Sequence, residues 1–269
     1  MSDSTANAKT WRNAAAWVLL TAAPFSIGSA QAALHARDLD TSVSGIEAWY
    51  DDVLDITWQT NANLSRTEHF GVSGIGEHGG MSGLSVKPWI TAMNDSSYLG
   101  YSDWRLPNTL PLNGIDYDYG PGGDVGYSVG APGTPYAGST ASEMAHLYYT
   151  TLSNPPAWPT GCSSLPGTAC LLNPGPFDFG DLFVPGGGVF WSRNKAEGYP
   201  ASGDHIFSFD VLTGYQGATP VETTNLWVWA VRDGDVISAV PEADTWALML
   251  AGLAAGAGVL RLRGRAPGP

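Results

Sequence analysis

Within Gly100-Tyr101-Ser102-Asp103-Trp104-Arg105-Leu106-Pro107-Asn108, a large aromatic, a lone cation and a proline stand beside one another. Proline fixes its own φ and biases the residue before it towards extended backbone. Trp104 and Leu106 are therefore expected to point into a core on an extended string, with Arg105 alternating away from them. An arginine at such a position needs an acid, and Asp103 and Glu143 are the candidates. A ligand contact is the alternative for Arg105. The string reads chiefly as a fold signature, with function in the loops around it.

A helix is expected just before it. Val86, Trp89, Ile90 and Met93 recur at i, i+3, i+4 and i+7, one apolar face, with Ser85 as cap and Pro88 in the first turn. A second helix is expected from Thr140, where Thr140 and Glu143 have capping-box spacing and Met144, Leu147, Tyr148 and Thr151 line one face. Glu143 and His146 at i, i+3 are an alternative acid/base pair, but the capping role already accounts for Glu143.

Elsewhere the period is two. Ile46–Tyr50 and Leu54–Trp58 read as an N-terminal hairpin turned at Asp51-Asp52. Val189–Arg193, Ile206–Asp210 and Leu226–Arg232 read as strands. In the last of these, Leu226, Val228, Ala230 and Arg232 face one way and Trp227, Trp229 and Val231 the other. Gly214 and Gly217 mark the turn before it.

Between these elements lie long loops. Residues 65–84 hold Glu68-His69 and Glu77-His78 at a spacing that fits no metal motif. Residues 108–138 carry Asp116, Asp118 and Asp124 among glycines, a loose likeness to a calcium loop without EF-hand spacing or its terminal Glu. Calcium is thus conceivable but has no motif behind it, and no cofactor is expected. Asp51, Asp52 and Asp55 form an acidic cluster that a cation could use, but turn chemistry already explains Asp51 and Asp52. Cys162 and Cys170, in a Pro/Gly-rich loop with no histidine beside them, read as one local disulfide.

Both ends look like addresses. Lys9 and Arg12, an apolar run from Ala14 to Ile27 and the small-x-small triplet ending at Ala32 form a secretory signal, with cleavage expected after Ala32. At the other end Pro241-Glu242 precedes fifteen uncharged residues, Trp246–Leu260, and then Arg261, Arg263 and Arg265. That is a short transmembrane helix with its basic end on the cytoplasmic side. Three parts follow: signal peptide 1–32, a domain over 33–240, and a sorting tail over 241–265. The middle part carries seven basic against 22 acidic residues, a net charge of −15. Such a surface argues against nucleic acid and anionic lipid as partners.

The tail resembles the PEP-CTERM sorting signal, departing from it at Ala243, where a second proline is usual. The resemblance implies the general secretion machinery and an exosortase as partners. It also implies a transiently membrane-anchored precursor, and a final place at the cell surface or outside the cell, in a bacterium that makes exopolysaccharide. The body resembles the Lcl C-terminal domain family. The matching residues are Asp52 through Trp58 to Asn63, Gly100 through Trp104-Arg105-Leu106-Pro107, and Phe190-Trp191-Ser192 with Trp229-Ala230-Val231-Arg232-Asp233-Gly234. Glu143–Tyr148 matches the helix of exported members. This resemblance implies an α+β, C-type-lectin-like fold of two short helices, antiparallel strands and long Gly/Pro-rich loops. In the founding member it implies adhesion through sulfated glycosaminoglycans, but a charge of −15 repels polyanions. Polysaccharide binding is carried over and the sulfated preference is not. The expectation is a binding protein and no enzyme. The alternatives are a structural envelope component without a small ligand, and an enzyme of the formylglycine-generating kind using both cysteines.

Overall fold

A computed structural model describes residues 34–42 and 44–236. The expected signal and sorting segments lie outside the described residues, and with them Ala32, Pro241, Glu242 and the Trp246–Leu260 helix. Among the described residues no helix is long and apolar enough to cross a membrane. The fold is α+β, with antiparallel sheets and few helices.

The N-terminal hairpin is β2 (Ala48–Asp51) and β3 (Ile56–Gln59). Asp51 makes the turn: its Oδ1 accepts the amides of Val53 and Leu54 at 3.1 and 3.0 Å. A strand that the sequence did not announce, β1 (Leu34–Arg37), pairs with β2. Leu-His-Ala-Arg alternates over only four residues, too few to mark a strand, so its placement comes from pairing with β2. The last strand, β9 (Val231–Asp233), pairs with β3, giving the order β1-β2-β3-β9. The first and last described strands therefore share one sheet.

The first helix, α1, runs from Gly83 to Asp95 behind a two-residue strand β4 (Met81–Ser82). It starts earlier than Ser85 because Gly83 sits against Val221. The Gly83 amide donates to the Val221 carbonyl at 2.9 Å, and a Cβ there would stand 2.9 Å from the Val221 Cβ. Pro88 consequently falls in the second turn, not the first. The amide it lacks would have served Leu84, which lies on the exposed side. The second helix also differs from expectation. Its cap is Ser142, whose hydroxyl accepts the Ala145 amide at 3.3 Å. The short α2 (Glu143–His146) passes directly into a π-type turn over Leu147–Thr151. The Thr140–Glu143 capping box does not form, because Glu143 is engaged elsewhere.

A second sheet contains β5 (Val189–Lys195), β6 (His205–Asp210) and β7 (Tyr215–Pro220). Gly214 thus precedes a strand and Gly217 lies inside it, where the sequence suggested a turn. β7 is poor in apolar residues and is fixed by polar contacts. Gln216 Nε2 donates to the Asp124 carbonyl at 2.7 Å, and Ser142 Oγ donates to Gln216 Oε1 at 2.6 Å.

Leu226–Arg232 is not one strand. β8 (Asn225–Leu226) pairs with β4, and β9 pairs with β3. Between them the backbone serves other neighbours: Trp227 exchanges hydrogen bonds with β5, and the Ala230 carbonyl accepts the Gln59 amide at 3.1 Å. The expected alternation survives as a partition of the interior. Leu226, Val228 and Ala230 join Trp89, Trp104 and Trp191 in one buried cluster. Trp227, Trp229 and Val231 join Trp58, Phe190 and the second helix in another. Buried indoles tie the segments together: Trp89 donates to Glu68 O, Trp104 to Tyr98 O, Trp191 to Met81 O and Trp229 to Gln59 O, at 2.7–3.1 Å.

Candidate functional site

The Trp-Arg-Leu-Pro string lies beside β9. Arg105 and Val231 exchange backbone hydrogen bonds at 2.7 and 2.8 Å, as one extra rung of the first sheet. Trp104 and Leu106 are buried in the cluster that α1 covers. Arg105 reaches the other way, to Glu143 at the start of α2. Its Nη1 and Nη2 donate to the two carboxylate oxygens at 2.8 and 2.9 Å. The same carboxylate accepts the Asn108 amide at 2.7 Å and its side-chain nitrogen at 3.1 Å. Glu143 is thereby satisfied on both oxygens and clamps α2 to the string. Burial works against the Arg105 charge, but Glu143 and Asp233 outweigh it and raise its pKa above the ordinary arginine value.

Asp103 is not the partner of Arg105. It takes Arg232 in a bidentate pair at 2.9 and 2.7 Å, while Arg105 reaches Asp233. The four charges cross reciprocally over the rung, and Arg232 also lies over the Tyr101 ring at 4.1 Å. Pro107 anchors the far end: its carbonyl accepts the Arg193 amide at 2.9 Å and the Ser192 hydroxyl at 3.0 Å. Trp58, Trp191 and Trp229 are fully interior. The structure therefore gathers Trp104, Leu106 and Trp191 in one cluster and Trp58 and Trp229 in the other. Arg105 and Arg232 are joined through the charge network between string and sheet.

Other candidate groups are not brought together. Glu143 is held by Arg105, whereas His146 Nδ1 faces the carbonyls of Gly138 and Ser139 at 3.2 and 3.3 Å. Asp51, Asp52 and Asp55 have separate partners, in the turn amides, His35 and the Tyr50 hydroxyl. Asp124 is buried inside its own loop, where its oxygens accept the amides of Leu112 and Asp118 at 2.8 and 2.7 Å. Burial raises its pKa above the usual carboxylate value. Among the described residues no three His, Cys, Asp or Glu side chains gather as a metal would require.

Among the concave surfaces of the described residues two stand out, one lined by an exposed tryptophan and one by three cations. The first lies beside the disulfide that joins Cys162 and Cys170. Cys170 is buried and its amide donates to Leu212 O at 2.7 Å, so the bridge fastens an otherwise irregular loop to the core. On that loop Trp158 is 75% exposed. It shares a concavity of about 390 Å³ with Tyr127, Ser163, Ser164 and Thr213. Tyr127, also exposed, meets Tyr215 in a tilted pair with ring centroids 4.7 Å apart. The second is a cleft of about 430 Å³ between α1, the Trp-Arg-Leu-Pro string and the β5–β6 pair.

The sequence marks Arg105 but neither Trp158 and Tyr127 nor Lys87 and Arg193, which line the cleft with Arg105. A signal for the first existed: Trp158 stands among Pro155, Pro156 and Pro159 with no apolar period around it, the setting of an aromatic without a core face. No protein-family model, curated protein or solved structure matches this chain significantly.

Proposed function

We propose that this chain is an exported cell-surface or matrix protein that binds polysaccharide, with Trp158 and Tyr127 forming the shelf on which sugar rings lie. The exposure of Trp158 carries this reading. The other seven tryptophans among the described residues are buried or half-buried, and Trp158 alone is held outward, on a loop pinned by a disulfide. An exposed indole costs contact with water that stacking on a sugar face removes, and Ser164 beside it offers a hydroxyl for hydrogen bonding. The α+β framework, with the first and last described strands in one sheet, supports a C-type-lectin-like fold for the 33–240 domain. An experimental structure lacking the β3–β9 pairing would set that fold aside. Export through the general secretion machinery, exosortase processing near Pro241-Glu242 and transient anchoring rest on the residues at the two ends. An enzyme of the formylglycine-generating kind needs free thiols, and here the two thiols are bonded to each other. A purely structural role is the second reading, favoured by how Asp124 is spent inside its own loop.

The test is a pull-down on exopolysaccharide and a glycan array, with and without calcium, run beside a release assay with residues 241–269 deleted. Retention on a polysaccharide, together with failure of the truncated chain to be anchored and processed, is the expected result. Absence of binding to every polymer, with or without calcium, leaves the structural reading.

A further inference from the structure

The 430 Å³ cleft has an unusual charge balance for this chain. The 33–240 region carries 22 acids and seven bases, yet the cleft is lined by three of those bases, Lys87, Arg105 and Arg193, and by no acid. Arg37, Arg105, Lys195 and Arg232 are in ion pairs. Lys87 and Arg193 line the cleft and form no ion pair among the described residues. Both are exposed, so their charges stand at the rim. The rest of the lining is largely apolar, with Val86, Ile90, Leu106, Ile206 and Trp104 beside Gly83, Thr91 and Ser192.

The arrangement follows from the fold. Gly83, Val86, Lys87, Ile90 and Thr91 are one face of α1 by helical spacing. Arg193 stands on β5 where the pairing with β6 shifts register, and its amide is tied to Pro107 O at 2.9 Å. The bulge thus sets Arg193 across the cleft from the helix. Arg105 spends its donors on Glu143, Asp233 and the Leu106 carbonyl, which leaves Lys87 and Arg193 as the available ones.

We infer that this cleft binds a small organic anion, a carboxylate or sulfonate head on an apolar body, with the head between Lys87 and Arg193 and the body on the Val86–Ile90–Leu106–Ile206 floor. An apolar pocket with a few convergent polar groups is the usual form of a small-molecule site. The net negative charge of the molecule does not prevent this, since screening confines its field to about 8 Å at physiological salt and the nearest charges in the cleft are positive. The inference does not rest on the glycan reading, which concerns the Trp158 shelf.

The test uses saturation-transfer NMR on the full chain with 4-methylbenzoate and its uncharged counterpart 4-methylbenzamide. The benzoate is expected to bind the folded chain and the benzamide at least about tenfold more weakly, a difference of about 1.4 kcal/mol. Lys87→Gln with Arg193→Gln is expected to remove that preference without moving the melting temperature, because both side chains are exposed. Thr91→Trp, which fills the cleft from α1, is expected to block the benzoate even with both cations present. Equal binding of benzoate and benzamide overturns the inference, as does a double variant that keeps the benzoate affinity within about twofold. Displacement by sulfate at matched ionic strength, or by glucuronate as readily as by fresh 4-methylbenzoate, also overturns it. Either would mean that the apolar floor takes no part.

Discussion

Arg105 is held by two carboxylates and a backbone carbonyl, and the way it is held decides what its loss does. Its guanidinium meets the buried Glu143 two-on-two and the exposed Asp233 at the rim. Removing it leaves Glu143 buried with only Asn108 to satisfy it. Breaking one side of such a pair costs about 3–5 kcal/mol, so Arg105→Ala should lower the urea midpoint steeply or prevent folding. Arg105→Lys should recover little, because an ammonium cannot supply the fork. A fully stable Arg105→Ala protein would remove the structural role assigned here. The second pair gives a pH signature. The Arg232 hydrogen bonds hold the Asp103 carboxyl below the usual carboxylate value. A carboxyl whose folded pKa is lowered adds stability that is present above its unfolded value, about 3.9, and lost as pH falls through the folded one. Asp103→Asn should therefore be less stable than wild type at pH 7, with the gap closing below the ordinary carboxylate range. Urea midpoints at several pH values check this, and a gap independent of pH contradicts it. Asp210 works in the opposite sense: burial raises its pKa, so protonation favours its folded setting as pH falls.

At the level of elements, strong periodicity and turn chemistry were readable, while pairing imposed from elsewhere was not. The β2–β3 hairpin follows from alternation on both sides of Asp51-Asp52, and α1 from its four apolar residues at helical spacing. The start of α1 was misplaced because close packing of Gly83 on Val221 leaves no mark on helix propensity. β1 is too short and β7 too polar to announce a strand; each exists through its partner strand. Ser142 replaced Thr140 as cap because the Glu143 carboxylate is worth more to a buried arginine than to a cap amide. The string at 104–107 and its pair with Glu143 were within reach of the sequence. Lys87 and Arg193 were not, because only the fold sets one helix face opposite a strand bulge. The Cys162–Cys170 bridge closes a short loop, and losing it should cost about 2.5 kcal/mol by chain entropy. Cys162→Ser with Cys170→Ser is expected to melt lower and to be cut by protease between Trp158 and Cys170. Unchanged protection of that loop would mean the bridge does not hold it.

Across the whole molecule, the aromatic side chains divide by task. Two buried clusters meet at residues 226–231 and absorb Trp58, Trp89, Trp104, Trp191, Trp227 and Trp229. Arg105 and Glu143 brace the sheet against the second helix. The fold signature is in this sense interior and structural, and the surfaces offered to ligands lie beside it: a neutral aromatic shelf on a disulfide-tied loop, and a cationic cleft on an acidic domain. In the proposed function the shelf binds polymer while the interior tryptophans only hold it in place. The most direct measurement is the mobility of wild type and Trp158→Ala in gels cast with and without the exopolysaccharide, with melting temperatures compared alongside. Wild type is expected to be retarded by the polymer, Trp158→Ala to run as in the empty gel, and the two to melt together. Equal retardation of both proteins at equal stability would contradict it.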